Sequence, residues 1–190
     1  PGFTEEKYYE YNPQKAKELL AAYQKKTGDN SPEVTISTNS SYLDLVEYIQ
    51  RELQKIGIQV NIDVMPPSTL RQQRSAGKLD IFRASWIADY PDAENYLSLF
   101  YSENFSPNGP NYTHFKSATF DSLYEKAINT SEAKNRISLY QQMDSIVMKE
   151  AAVVPLYYDQ VVRFTQKNVK DLGINPINLL DLKRVKKIKE

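Results

Sequence analysis

Cysteine is absent from the 190 residues, and histidine and tryptophan occur once each, as His114 and Trp86. Without a thiol there is no disulfide, zinc–thiolate or cysteine-nucleophile chemistry. A lone imidazole excludes multi-histidine metal sites and makes any Ser–His–Asp triad depend on His114 alone. Absence of cysteine fits either redox compartment. No stretch approaches the roughly 18 continuous apolar residues of a membrane span. Charge of one sign is also missing: 24 Lys+Arg stand against 24 Asp+Glu. The chain therefore lacks the basic footprint with which nucleic-acid binders displace counterions, and no nucleic-acid partner is expected. No G-x-x-x-x-G-K, G-x-S-x-G or H-E-x-x-H occurs. The start, Pro1-Gly2-Phe3, offers no Met, basic n-region or apolar h-region, which leads to the expectation of a piece of a longer chain.

What is present in quantity is tyrosine (14) and phenylalanine (7), side chains suited to recognition surfaces. The first helix is well marked by Asn12 as N-cap, Pro13 in the first turn, a stripe of Ala16, Leu19, Leu20 and Tyr23, and a stop at Gly28. Alternation predicts a strand over Glu33–Thr38, then a helix from Leu43 to Ile56 with Leu45, Ile49, Leu53 and Ile56 buried. A second strand follows over Ile58–Met65, a short helix from Pro66 to Ala76, and a third strand over Asp80–Trp86. Strand–helix–strand–helix–strand with short connections implies a parallel sheet. Ligands bind such sheets beyond the carboxyl ends of the strands. Asn39-Ser40-Ser41 and Ile87-Ala88-Asp89-Tyr90 occupy that edge. Downstream, Pro91 to Tyr112 reads as a loop with a helical turn or two around YLSLF. Helices follow at about Phe120–Ile128 and Glu132–Glu150, the latter capped by Ser131 and striped by Ile137, Tyr140, Ile146 and Val147. Val153–Asp159 and Val161–Thr165 are β-prone, with one of Tyr157 and Tyr158 expected in the core. The tail KRVKKIKE, with Lys183, Arg184, Lys186, Lys187 and Lys189, reads as a charged edge strand or frayed, solvated end.

Trp86 to Asn95 concentrates the indole, Tyr90 and the carboxylates Asp89, Asp92 and Glu94. Asp92 and Glu94 suit capping of the next helix, while Asp89 follows a strand end beside an aromatic plane. A carboxylate next to an indole face suits an ammonium group. Arg83 interrupts an apolar strand and needs water, an acidic neighbour or a ligand carboxylate. A hydrolase using Asp89 and Asp92 as an acid/base pair is the alternative from another class, and a partner-docking domain is a third. His114 reads as a loop residue bonded to backbone, and Tyr8, Tyr9 and Tyr11 as packing of the N-terminal segment.

Five segments in one order, YNPQKAKELL, LQKIGIQVNIDVM, GKLDIFRASWIADYPDAENYL, NYTHFKSATFDSLYEKA and AAVVPLYYDQVVRFTQKNVKDLGINP, carry a resemblance over essentially the whole chain. The sequence resembles the extracytoplasmic solute-binding proteins that serve ABC transporters for peptides and nickel. The resemblance implies an α/β periplasmic-binding-protein-like lobe, a mostly parallel sheet flanked by helices with a C-terminal β return segment. It further implies that residues 1–190 are a single C-terminal lobe of a two-lobed protein, with 153–190 returning towards a missing N-terminal lobe. On that basis a peptide or other small solute is bound without chemistry or cofactor, outside the cytoplasm, for delivery to a membrane permease. An extended peptide would pair with the backbone of Arg83-Ala84-Ser85-Trp86-Ile87. Asp89 would meet its α-ammonium, Trp86 would line a side-chain pocket, and Arg83 would meet a carboxylate. Ser41 stands where some relatives have a histidine, which leaves ligand length open. Within the family a nickel complex, haem or a sugar is the alternative ligand.

Overall fold

A computed structural model describes residues 9–175 and 178–188; Pro1, Gly2, Phe3, Tyr8, Pro176 and Lys189, used above, lie outside the described residues. Helix α1 (Pro13–Thr27) is closed at both ends as its sequence requires. The Asn12 side chain accepts from the Lys15 N–H at 2.9 Å, and Gly28, at φ 79°, donates its N–H to the Gln24 carbonyl. The expected buried stripe is not found: Leu19 is 60% and Tyr23 46% exposed, and no residue of α1 is fully buried. Caps and periodicity make a helix, but burial needs a facing element, and among the described residues little covers this one. Tyr11 is likewise exposed rather than packed, its hydroxyl donating to Glu52.

Strands β1 (Glu33–Thr38), β2 (Gln59–Val64) and β3 (Ile81–Phe82) form a parallel sheet in the order β2-β1-β3. Helices α2 (Leu43–Gln54) and α3 (Pro67–Ser75) make the two crossovers. Ile36 of β1 stands between Ile62 and Ile81, and with Val46 and Val60 it forms the core of this half. On α2 the fully buried position is Val46; Ile49 and Leu53 flank it half-buried, so the helix faces the sheet one residue away from the expected centre. The third strand stops after two residues instead of running to Trp86. Its only neighbour among the described residues is β1, which ends at Thr38 and turns at Asn39, so after the Arg83 N–H bond to the Ser37 carbonyl (3.0 Å) no ladder remains.

The second half is helical. A short α4 (Glu94–Leu97) leads through 3₁₀ turns to α5 (Ala118–Ile128) and α6 (Ala133–Lys149), which pack on each other. Ser117 caps α5 by accepting from the Phe120 N–H, whereas α6 starts at Glu132 without a side-chain cap, so the expected Ser131 cap is not formed. Leu97, Phe120, Tyr124, Ala127, Leu139, Met143 and Val147 form the larger core, with Tyr140 and Ile146 only half-buried at its margin. Between these helices the loop is tied by Asn111, fully buried, whose amide donates to the carbonyls of Tyr101 and Phe115 and accepts from Phe115 N–H and Thr113 Oγ1. His114 bonds the Ser106 carbonyl and hydroxyl, as expected of a loop histidine.

Residues 153–165 form no strand, and Tyr157 and Tyr158 are 58% and 92% exposed, so neither is core. β-Branched and aromatic residues favour strands only through packing on a neighbouring strand, and none lies beside this segment among the described residues. The tail does pair, as an antiparallel ladder of β4 (Val169–Lys170) with β5 (Lys186–Lys187).

Candidate functional site

The carboxyl edge of the parallel sheet brings two chain segments together. After β1, the Asn39 side chain accepts from the Ser41 N–H at 3.0 Å and turns the chain into α2. After β3, the Arg83 guanidinium lies over the Tyr42 ring at 3.3 Å from its centroid, with one nitrogen 3.5 Å from the Ser85 hydroxyl. Among the described residues Arg83 therefore finds its partner in an aromatic face and not in an acid, and Ser41, exposed, directly precedes Tyr42 in the chain. From Ala84 to Ile87 the backbone makes no hydrogen bond to another part of the described chain. Ala84, Ser85 and Ile87 are exposed and Trp86 is half-buried. Such a stretch leaves donors and acceptors open to an incoming strand.

Trp86 and Asp89 are held from behind by Asn95, a residue of α4 that is only 5% exposed. Its Oδ1 accepts from the Trp86 indole N–H at 2.8 Å and from the Asp89 backbone N–H at 3.2 Å. The Asp89 carboxylate is left in solvent, without a hydrogen bond or ion pair among the described residues. Its two acidic neighbours are committed elsewhere. Asp92 accepts from the Glu94 N–H and forms an ion pair with Arg136 of α6. Glu94 does not serve as a cap; it accepts from the hydroxyls of both Tyr90 and Tyr124. An acid/base pair of Asp89 with Asp92 would need both carboxylates free to face a substrate, and Asp92 is not.

These contacts set the phenols. The hydrogen bond to Glu94 raises the Tyr90 phenol, because the phenolate would face a carboxylate, while the Asn95 amide nearby opposes it. Burial, then the bond to Glu94, pushes Tyr124 far above its ordinary value of 10.0. The folded protein thus holds a proton that the unfolded chain releases above that pH, so stability is present below it and falls as pH rises. Denaturant unfolding between pH 8 and pH 11 is expected to show this fall, and Tyr124→Phe to flatten it; a level profile in the unmodified chain would contradict the burial of this phenol.

A separate cleft of about 210 Å³ lies beside β3, lined by Leu79, Asp80, Phe82 and Phe115 among others. None of Ser41, Arg83, Ser85, Trp86, Ile87 and Asp89 lines it. The candidate site on this chain is therefore one open wall. Sequence reasoning placed Trp86 and Asp89 at the sheet edge but missed Tyr42 and Asn95. Neither has a spacing signal, since their partners are a guanidinium, an indole and a backbone N–H brought near only by the closed loop.

Comparison with known proteins agrees with the parallel α/β fold. The chain is 28% identical over 176 residues to the dipeptide-binding protein DppE of Bacillus subtilis, covering 90% of this chain and 32% of that protein. It is 32% identical over 114 residues to the probable deoxycholate-binding periplasmic protein YgiS of Escherichia coli, covering 60% of this chain and 21% of that one. Among solved structures, the periplasmic binding protein DppA of Helicobacter pylori in complex with the peptide STSA superposes with a TM-score of 0.74 at 33% identity, over 82% of this chain and 30% of that one. The chain spans about a third of the length of such relatives. The family model described as bacterial extracellular solute-binding proteins, family 5 middle, matches residues 1–108. With more than half of its length matched and the parallel α/β fold shared, the chain belongs to the bacterial extracellular solute-binding proteins of family 5.

Proposed function

We propose that this chain is the C-terminal α/β lobe of a two-lobed protein that captures peptides outside the cytoplasm and hands them to a membrane permease of the ABC type. On this reading the segment 153–190 returns towards the first lobe, and the exposed apolar side chains of its described part (Val154, Leu156, Val162 and Phe164 among them) suit coverage by it. The observation that carries the reading is Asp89: a carboxylate left free in solvent, on a loop fixed from behind, beside the one indole of the chain. Closure of a second lobe over it would bury the charge, which is tolerable only with a cation as partner. A peptide α-ammonium supplies one. The unpaired backbone from Ala84 to Ile87 accepts the peptide as an added strand, independent of its side chains. Trp86 and Ile87 offer apolar contact, and Arg83 and Ser85, with Ser41 beside them, take polar groups further along. Binding of this kind transforms nothing. The similarity to DppE and to the peptide complex of DppA supports a peptide as the solute.

Asp89→Ala in the two-lobed protein is expected to weaken peptide binding at least about tenfold, which corresponds to about 1.4 kcal/mol. N-acetylated peptides should lose a similar amount against the unmodified protein. Calorimetry showing unchanged affinity in both experiments would remove the ammonium role.

A second reading is favoured by the similarity to YgiS: an amphiphilic, non-peptide solute resting on Trp86 and Ile87. Under that reading affinity would survive Asp89→Ala and fall with Trp86→Ala.

A further inference from the structure

Between Trp86 and Tyr90 the chain forms no regular secondary structure, yet two of these five residues converge on a single side-chain oxygen. Asn95 accepts from the Trp86 indole and from the Asp89 backbone N–H with one oxygen. A carboxamide oxygen has two lone pairs, so it accepts from both groups at once. At 5% exposure it is shielded from water, so each of these groups would lose its partner if the amide were removed. Asn95 itself cannot drift, because α4 is anchored on both sides of it. Glu94 takes the Tyr124 hydroxyl of α5, and Leu97 enters the larger core. The bond to Asp89 is made to its backbone, which leaves the carboxylate outside.

We propose that Asn95 is a positioning residue of the ligand site, its amide holding the Trp86 indole and the Asp89 backbone in one arrangement so that carboxylate and aromatic face are presented together. This rests on the reading of Asp89 as the ammonium partner. A mobile loop could still offer both groups, but it would have to order them on binding and lose affinity accordingly.

Trp86 is the only tryptophan, so indole fluorescence of the 190-residue chain reports this loop without any ligand. Two variants separate positioning from simple space filling. Asn95→Leu keeps the volume and suits an apolar interior but has no acceptor; Asn95→Asp keeps the acceptor. For Asn95→Leu the expected result is a red-shifted emission and acrylamide quenching raised about twofold by local opening, with the far-UV circular dichroism of the parent. Asn95→Asp should quench like the parent. Equal quenching in the parent and Asn95→Leu would overturn the inference, as would loosening of both variants alike. In the two-lobed protein, Asn95→Leu should also weaken peptide binding about tenfold while Asn95→Asp does so less. If the parent protein binds no peptide but the quenching pattern holds, the peptide reading fails and the role of Asn95 in the loop stands.

Discussion

Replacing Phe120 by Ala is expected to lower the unfolding free energy by about 3–5 kcal/mol, the range for removing a large buried aromatic ring. Phe120 is fully buried on α5 and meets Phe115 and Phe100 edge-on at 5.7 and 6.4 Å and Tyr124 in a stacked pair at 6.4 Å. Such ring pairs add to the area they bury. The neighbours sit on a loop, a 3₁₀ turn and α5 itself, so their collapse into the void would have to move several elements, which keeps the cavity term large. Urea unfolding followed by circular dichroism reads the effect. A midpoint within error of the parent would mean that the α4–α6 half does not unfold together with the sheet. A further consequence is specific to this fold. Tyr124, one turn beyond Phe120, donates to Glu94 at the start of α4, so repacking α5 should also increase quenching of Trp86 at the sheet edge.

Asn111→Leu should cost a comparable amount, roughly 2–4 kcal/mol, through a different mechanism. The Asn111 side chain is fully buried and forms four hydrogen bonds, donating to two carbonyls and accepting from an N–H and a hydroxyl. Leucine fills a similar volume, so little is lost in packing. What is lost is the partner of two carbonyls and one amide inside a region that water does not enter freely. Unfolding in urea again measures it. A loss below about 1 kcal/mol would show that water replaces the amide at these groups. The same loop requires Gly109, whose side-chain position is occupied by the Asn104 backbone, so hydrogen bonding and a close backbone approach fix this segment where regular structure does not.

How much of this was legible beforehand differs from element to element. Helix α1 is bounded where Asn12 and Gly28 say it should be, because caps act within one turn of the chain. The three strands and their parallel direction follow from hydrophobic patterning joined by helical crossovers, and the structure has them. The candidate site was half legible. Trp86 and Asp89 follow the third strand, and a parallel sheet places that point at its ligand edge. Strand length was not legible, since β3 depends on β1 persisting beside it, and β1 turns away at Asn39. The segment 153–165 failed for the same reason in stronger form: it has the composition of strands but no neighbour among the described residues. Burial on α1 failed likewise, its apolar side facing little of the described chain.

The amino-acid order by itself determined the local elements, their succession and the neutral, thiol-free chemistry open to the chain, because caps, periodicity and composition act over a few residues. Only the tertiary structure decided which carboxylate stays free. Asp89, Asp92 and Glu94 are alike in sequence, but Arg136 lies 44 residues from Asp92 and Tyr124 lies 30 from Glu94. Those partners are reached across the fold, and what they occupy is no longer available to a ligand.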